Sequence, residues 1–323
     1  MITSYAAADG HLVAQDSLLR NSDALVWIDL FNPTHQEETE LEDFLGINVP
    51  TREEMEEIEI SSRLYSEDEA IFMTAILPAH GERDDPDMLP VSFVLIGKTL
   101  VTVRYHTPRA FTTFPQRAAK ASVRCETGEL VLVALLEAIV DRLADILERD
   151  GRDIELISRD VFRPDVSKPT RGQTLQATLE AIGRKGDLTS NIRNSLATLE
   201  RVVAYLAQQS ATSKGSRNIR ERNKALAHDI GSLADHAGFL SQKITFLLDA
   251  TLGMISIEQN AIIKILSVAA VVFLPPTLVA SVYGMNFEHM PELAWLAGYP
   301  FAILLMIITA TLPYLYFKRR GWL

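Results

Sequence analysis

Two long apolar stretches lie close together near the C-terminus of the chain. Residues 265–282 and residues 298–317 contain no charged side chain. A helix rises 1.5 Å per residue, so about 20 residues cross the roughly 30 Å hydrocarbon layer of a bilayer. The pattern predicts transmembrane helices at 261–283 and 298–317, an external loop at 284–297 and a basic tail at 318–323. The alternative is a buried helical hairpin inside a soluble core.

The region before the first span, residues 126–260, has the period of 3.6 residues that is typical of amphipathic helices. We predict one helix from about 127 to Phe162, a second over roughly 171–209 after a break at Pro164 and Pro169, and a third that runs unbroken from Asn218 to Tyr283. The third helix would be a stalk roughly 100 Å long. Its apolar positions alternate in steps of four and three, as in a coiled coil: Leu226, Ile230, Leu233, Ala237, Leu240, Ile244, Leu247, Thr251 and Met254.

The first 125 residues have a mixed pattern. Residues 24–31 and 69–79 have strand character, and residues 91–106 resemble a hairpin that turns at Gly97 and Lys98. Two acidic stretches between them, at 40–46 and 52–61, predict short helices. The predicted fold class is therefore α+β, with an N-terminal cytoplasmic α/β domain, a long helical stalk and two C-terminal transmembrane helices.

Charged residues predict the orientation of the spans. Lys243 and Lys264 precede the first span and Lys318, Arg319 and Arg320 follow the second, whereas the loop between the spans carries only acids. The positive-inside rule places both termini in the cytoplasm, so we expect a multi-pass protein of the cell inner membrane. Aromatic side chains lie near the span ends, where the membrane interface favours them: Tyr283, Tyr299, Tyr314, Tyr316 and Trp322.

Composition narrows the function classes. The net charge is −11, and the six charged residues after 260 contribute +2, which leaves −13 for the preceding part. Such a surface repels nucleic acid and attracts metal cations, or it simply keeps the domain soluble. Cys125 is the only cysteine, so no internal disulfide forms, as expected in a reducing compartment. The N-terminal residues show neither the basic region nor the apolar core of a secretory signal.

Motifs of energy coupling and covalent catalysis are absent from the sequence. There is no G-x-x-x-x-G-K-[ST] phosphate loop and no G-x-S-x-G nucleophile motif, so the sequence favours neither an ATP-driven pump nor an enzyme. Ion entry would draw on the membrane potential, which supplies about 2.3 kcal/mol per charge per 100 mV.

One face of the first span suits a pore. Its residues follow steps of three or four, and they are mostly apolar, as in a constriction that closes by dewetting, with hydroxyls near the outer end. Asn260 lies about a turn below this face and Asn286 just beyond its outer end. An ordinary helix-packing seam is the alternative. Two spans cannot enclose a pore alone, so the chain must oligomerise. The face comprises Ile263, Leu266, Ala270, Leu274, Thr277 and Ser281.

The sequence YGMNF at 283–287, followed by MPEL at 290–293 and a terminal Lys-Arg-Arg cluster, resembles the CorA family of divalent cation channels. A VWIDLFNPT segment at 26–34 is weakly characteristic of the same family. The resemblance implies a homopentamer that admits Mg²⁺, with Co²⁺ and Ni²⁺ as further ions, and that is gated by cytoplasmic divalent cations. It also implies that Gly284, Met285 and Asn286 form the selectivity site and that the face described above lines the pore.

A ring of asparagines suits magnesium on physical grounds. Mg²⁺ dehydrates reluctantly, so a pore does better to bind its water shell than to strip it. The amide oxygen of Asn286 accepts hydrogen bonds from those waters without the charge that would hold the ion too tightly. Gly284 would allow a close or left-handed turn at the helix end, and Glu288 and Glu292 would concentrate cations at the mouth. Alternatively, Asn286 only caps a turn.

Two prolines interrupt the first span. Pro275 and Pro276 remove two backbone donors, so we expect a bend or a loosened turn that could act as a hinge. The family usually has a single proline beside a methionine here, whereas this chain has Leu274 before its two prolines. The chemistry of the constriction therefore departs from the family pattern.

The resembled family senses Mg²⁺ through acidic residues between one α/β domain and a neighbouring stalk. Glu53, Glu54, Glu56 and Glu57 and the stalk residue Asp229 are candidates because Mg²⁺ prefers oxygen ligands, although an acidic helix is usually just a solvated face. Ala225 stands where the family often has a carboxylate. No histidine spacing resembles a structural zinc site. Two other functions remain open: a zinc transporter of the same family, and a membrane-tethered coiled-coil scaffold.

Overall fold

The computed structural model describes residues 1–8, 10–15, 24–81, 83, 85–120, 124–162, 171–212, 217–286, 291 and 295–322. The chain divides into two compact units. The first, here called the N-terminal unit, comprises Met1–Ser167 and Ala177–Leu248, and the second, the C-terminal unit, comprises Lys168–Gln176 and Asp249–Leu323.

Seven strands and eight helices make up the described part of the chain. The strands are β1 (Ile2–Ala8), β2 (His11–Gln15), β3 (Leu25–Phe31), β4 (Leu64–Glu67), β5 (Ala70–Ala79), β6 (Asp87–Ile96) and β7 (Thr99–Arg104). The helices are α1 (His35–Leu45), α2 (Arg52–Glu56), α3 (Ile60–Arg63), α4 (Arg109–Ala118), α5 (Gly128–Phe162), α6 (Arg171–Thr212), α7 (Arg217–Tyr283) and α8 (Gly298–Arg319).

The strands form one mixed sheet in the order β2-β1-β3-β7-β6-β5-β4. β3 and β7 pair in parallel, with Asp29 opposite Thr102, and the other neighbours are antiparallel. Side chains alternate between two hydrophobic clusters: Trp27 joins the cluster that includes α5, whereas Ile28 joins the cluster that includes Leu41 of α1. The sheet therefore has a covered face on both sides.

The predicted β5 strand and the β6–β7 hairpin are confirmed. Gly97 has φ of 56° at the hairpin turn, a conformation that favours glycine. Residues 52–61, predicted as one short helix, instead form α2 and α3, because Glu57 leaves the helical region with ψ of 141°. Strands β1, β2 and β4 and helix α4 were not predicted.

The VWIDLFNPT segment supplies a buried polar network. Arg104 donates from Nε to Asp29 Oδ1 at 3.1 Å and from Nη2 to Asp29 Oδ2 at 2.8 Å. Thr102 donates to Asp29 Oδ1 at 2.8 Å and accepts from the Trp27 indole at 3.0 Å. Thr34, at the end of the segment, caps α1 in a capping box with its N3 residue. The network ties β3 to β7 through side chains as well as backbone.

The three long helices agree with the sequence. α5 ends at Phe162 as predicted, and α7 runs 67 residues without a break. The predicted break at Pro164 and Pro169 lies outside the described residues, as do residues 213–216 between α6 and α7. Gly128 begins α5 where a Cβ would clash with the backbone of Leu100 in β7, so this close approach requires glycine.

The periodic apolar stripe of α7 is buried within the chain's own N-terminal unit. Six of its members belong to the same hydrophobic cluster as residues of α5 and α6. A Cβ at Gly186 of α6 would lie 3.6 Å from Ile244, and one at Gly151 of α5 would lie 3.6 Å from Leu240. The stripe of α7 therefore packs directly against these two glycines. The six are Leu226, Ile230, Ala237, Leu240, Ile244 and Leu247.

A charged group is buried between α5 and α6. Lys185 Nζ lies 3.5 Å from Asp150 Oδ1 and 2.6 Å from Asp153 Oδ2, and Thr189 donates to Asp150 Oδ2 at 2.7 Å. Burial raises the pKa of Asp150 above its ordinary value, against the opposing effects of Thr189 and Lys185. The cluster joins two helices whose other contacts are mainly apolar.

Candidate ion pathway

The C-terminal unit contains the two predicted spans. The C-terminal part of α7 and the whole of α8 are each long and apolar enough to cross a membrane. Lys264 Nζ lies 6.0 Å from the centre of the Trp322 ring, so the start of the first span and the end of the second are at the same end of the hairpin. Lys318 and Arg320 lie over Tyr314 and Tyr316 at that end, which combines the basic residues with interfacial aromatic rings.

The predicted pore face of α7 is exposed along its whole length in the single chain. Ile263, Leu266 and Leu274 are 58%, 65% and 65% exposed, far more than apolar residues of a packed core. Thus the structure places every predicted member of this face away from the interior of the C-terminal unit. All seven residues are exposed: Asn260, Ile263, Leu266, Ala270, Leu274, Thr277 and Ser281.

The opposite side of α7 is covered. Val268 is buried, and from there to Tyr283 the residues on its side are half-buried, whereas Ile265, one turn earlier, is 60% exposed. An exposed face and a covered face on one helix agree with a span that packs within its own hairpin and offers its other side to further copies or to lipid. The half-buried residues are Ala269, Val272, Pro275, Pro276, Val279 and Tyr283.

The two prolines lie inside α7 and leave it continuous. Helical structure is unbroken through Pro275 and Pro276 to Tyr283. A continuous helix does not test the expected bend or loosened turn, which stays a prediction. The hinge role of the prolines stays a prediction.

Hydroxyl groups on the exposed face are oriented by the helix itself. Thr277 Oγ1 donates to Phe273 O at 2.8 Å, and Ser267 Oγ donates to Ile263 O at 2.8 Å. With its hydrogen used in this way, each oxygen keeps lone pairs that can accept a hydrogen bond from a water. The sequence analysis did not include Ser267, although its spacing of seven from both Asn260 and Leu274 marks the same face.

The Gly-Met-Asn triplet directly follows the end of α7. Gly284 N donates to Ala280 O at 3.0 Å, and Met285 N donates to Val282 O at 3.3 Å. A Cβ on Gly284 would lie 3.2 Å from Ala280 O, which is tighter than ordinary contact. Gly284 is not among the described glycines with positive φ. Glycine is therefore favoured at this position by the close approach to Ala280 O and not by a left-handed turn.

Asn286 is exposed just beyond this turn, and Met285 is about half exposed. Asn286 therefore lies just beyond the C-terminal end of the same helix whose exposed face begins at Asn260. Glu288 and Glu292, predicted at the pore mouth, lie outside the described residues.

The acidic residues predicted to sense cytoplasmic metal are on the surface of the N-terminal unit. Glu54 already accepts from Thr51 N at 2.8 Å in the capping box of α2. Glu53 and Asp229 are exposed. Across the described ranges of the chain, no group of three His, Cys, Asp or Glu side chains is placed to hold a metal ion.

Glu53 also lies near a phenol whose proton is held tightly. Burial raises the pKa of Tyr105 to about 12, helped by the negative charges of Glu38 and then Glu53. The carboxylates of α1 and α2 therefore place negative charge near Tyr105, although burial is the larger cause of its raised pKa.

Comparison with known proteins identifies the family. A family model described as CorA-like Mg²⁺ transporter protein matches residues 22–319. The chain belongs to the CorA family. A magnesium transport protein CorA of Pasteurella multocida is 36% identical over 325 residues and covers 100% of both chains. A protein of the same name from Escherichia coli K12 is 37% identical over 298 residues, or 92% of each chain.

Solved structures support the CorA fold for the whole chain. The complete structure of a CorA magnesium transporter from Methanocaldococcus jannaschii superposes with a TM-score of 0.79 at 20% identity and covers 100% of this chain and 99% of that one. A full-length CmaX protein gives a TM-score of 0.68 at 15% identity, with coverage of 100% and 98%. The predicted fold class, an N-terminal α/β domain with a long helix and two C-terminal apolar helices, is confirmed.

Proposed function

We propose that this CorA-family chain transports Mg²⁺ as a homopentameric channel of the cell inner membrane, with both termini in the cytoplasm. The relatives at 36% and 37% identity are named as magnesium transport proteins over nearly their full length, which supports the ion class. Members of the family are ion transporters rather than enzymes. Co²⁺ and Ni²⁺ are further candidate ions because they share the divalent charge.

One observation supports the pore more than any other. Every residue predicted to line it is exposed, while between Val268 and Tyr283 the opposite side of α7 is buried or half-buried in the chain's own hairpin. An apolar surface left open by a single chain in a membrane can contact lipid or further copies, and we assign this one to further copies. Arranged around an axis, these faces would form a narrow apolar conduit that opens and closes by wetting.

At the outer end, copies of Asn286 would form the selectivity ring. The hydrated ion would meet amide oxygens that accept hydrogen bonds from its waters, while the close turn at Gly284 keeps the backbone compact beside it. Neutral oxygens hold a divalent ion less tightly than carboxylates would, so binding and release are both fast. The membrane potential would drive inward movement. It supplies about 2.3 kcal/mol per charge per 100 mV, or nearly twice that for a divalent ion.

The test is ion flux into liposomes that contain the purified full-length protein. Asn286→Ala should abolish Mg²⁺ uptake without changing the oligomeric state, because it removes the amide and leaves the helices untouched. Asn218→Ala, which makes the same change at an exposed position of α7 outside the spans, is the matched control. Normal uptake by the Asn286 variant would overturn the selectivity role.

Parallel measurements with Mg²⁺, Co²⁺, Ni²⁺ and Zn²⁺ define the ion. Uptake of Zn²⁺ without Mg²⁺ would replace the magnesium proposal with a zinc transporter of the same family. An assembled protein that moves none of the four ions would instead favour a membrane-tethered scaffold.

We also propose that cytoplasmic Mg²⁺ closes the channel by binding between subunits, where Glu53 and Asp229 are the available carboxylates. Glu54 is the weaker candidate, since its carboxylate already caps α2. In the flux assay, loading liposomes with Mg²⁺ on the cytoplasmic side should inhibit the wild type, and Glu53→Gln with Asp229→Asn should relieve that inhibition. Glu148→Gln, which changes an exposed residue paired with Arg152, is the control. Inhibition that survives the double substitution would exclude these ligands.

A further inference from the structure

A groove lies between α6 and α7 in the N-terminal unit, far along α7 from the spans. Its volume is about 440 Å³, within the range of about 300–1,000 Å³ of small-molecule sites. Three alanines form much of its wall, and the charged side chains stand at its rim. The lining residues are Glu200, Val203, Ala204, Ala207, Arg220, Asn223, Lys224 and Ala227.

Asn223 is an unusual residue for its position. It stands four residues after Ile219 and three before Leu226, both buried, so it occupies a place in the apolar stripe of α7. It is only 2% exposed. Neither its Nδ2 nor its Oδ1 has a hydrogen-bond partner in the part of the chain that the structure describes. A buried amide with both ends unpaired is costly, and such groups are rare in native proteins.

An amide at this place can be accounted for by a ligand. An asparagine amide presents one donor and one acceptor side by side, so its complement is an edge that also carries a neighbouring donor and acceptor. Adenine has such an edge at N6 and N7, whereas guanine presents two acceptors at N7 and O6. The short alanine side chains leave a smooth apolar slot in which a planar base can lie.

The rim charges match the rest of a nucleotide. Arg220 and Lys224 lie one turn apart on α7 and supply positive charge for a phosphate. Glu200 faces them from α6 and can accept hydrogen bonds from ribose hydroxyls, a role that acidic residues take in other nucleotide sites. Glu200 would repel a simple anion but suits a molecule with both hydroxyl and phosphate groups.

We propose that the groove binds an adenine nucleotide, with Asn223 turned toward the base edge, Arg220 and Lys224 at the phosphate and Glu200 at the ribose. The site binds without hydrolysis, since the chain has no phosphate-binding loop of the P-loop type. The groove is formed by α7 itself, so an occupant would contact the same helix that continues to the exposed face at Asn260.

The experiment is equilibrium dialysis of AMP, GMP and adenosine against the full-length protein in detergent, which does not depend on transport. The wild type should bind AMP at least about tenfold more tightly than GMP, the discrimination that a bidentate amide provides. Asn223→Leu should reduce AMP affinity by at least about tenfold and raise the midpoint of thermal unfolding, because leucine completes the apolar stripe. Asn218→Leu, the same change at an exposed position, should alter neither.

A second variant keeps the test decisive if Asn223→Leu does not fold. Lys224→Gln should weaken AMP binding while leaving adenosine binding unchanged, because only AMP carries the phosphate. The proposal is overturned if the wild type does not bind AMP at millimolar concentration, if GMP binds as well as AMP, or if Lys224→Gln affects AMP and adenosine equally. A change in oligomeric state with Asn223→Leu and no AMP binding would show instead that the groove receives a second copy.

Discussion

The buried Asp29–Arg104 pair offers a quantitative test of what holds the N-terminal sheet together. The two side chains are 8% and 9% exposed, and Arg104 also donates to His106 O at 2.8 Å. Asp29→Ala leaves the guanidinium buried without its countercharge. Removing one partner of such a pair costs about 3–5 kcal/mol, and each kcal/mol lowers the unfolding midpoint by about 2–4 °C in a domain of this size. The midpoint should therefore fall by roughly 6–20 °C.

The assay is thermal unfolding of the full-length protein in detergent, followed by tryptophan fluorescence. Trp27 reports on this region because its indole donates to Thr102, which itself bonds Asp29. Glu56→Ala removes an exposed ion pair and should cost less than about 1 kcal/mol. Asp29→Leu combined with Arg104→Met removes both charges and should recover most of the loss. A single Asp29→Ala change that shifts the midpoint by less than about 2 °C would refute the reasoning.

Three further predictions address packing, pH and flux. Gly128→Ala should destabilise the protein by about 1–3 kcal/mol in denaturant titrations, because the added Cβ would clash with β7. Gly238→Ala adds a Cβ in open space and should stabilise α7 by up to about 1 kcal/mol. Burial lowers the pKa of His106 in the folded protein. As the pH drops below about 6.5, the unfolded chain therefore takes up a proton before the folded chain does, and the free energy of unfolding falls. His106→Gln should flatten this part of the plot of stability against pH. Leu274→Asn should raise Mg²⁺ flux in liposomes by making the constriction wettable, whereas Leu304→Asn on α8 should leave it unchanged; equal flux in both would argue against a dewetting gate.

The long helices could be predicted from sequence because their signals are local. A steady period of three and four, with no proline before Pro275 in α7, predicted α5 to its last residue and α7 almost to its first. The strands were harder. β1 is rich in alanine, a weak strand former, and β4 has only four residues, so neither gave a pattern that stands out from a loop.

What covers a helix face could not be predicted from its period. The stripe from Leu226 to Leu247 was expected to pack as a coiled coil, and it packs on α5 and α6 of the same chain. Periodicity shows only that a face is buried, since any apolar partner satisfies it. Three-four spacing likewise predicted that the residues from Ile263 to Ser281 share one side of α7. They are exposed in the single chain, and their pore-lining role stays a prediction.

At two single positions, Gly284 and Asn223, the sequence indicated little or nothing of what the structure shows. Gly284 was expected to allow either a close or a left-handed turn, and only the structure distinguishes the two, since both need glycine. Asn223 gave no signal at all, because one polar residue in an apolar stripe is common in helices that pair with another copy. Its unpaired amide becomes visible only once its neighbours are known.

The lone cysteine has a practical consequence for testing the proposed assembly. Cys125 is fully buried, and burial raises its pKa to about 11, so its thiol stays protonated and unreactive at neutral pH. Cysteines introduced one at a time along α7 can thus be labelled with spin probes or cross-linked between copies in an otherwise native protein. Distances measured in this way would map how the helices approach one another without first deleting a natural thiol.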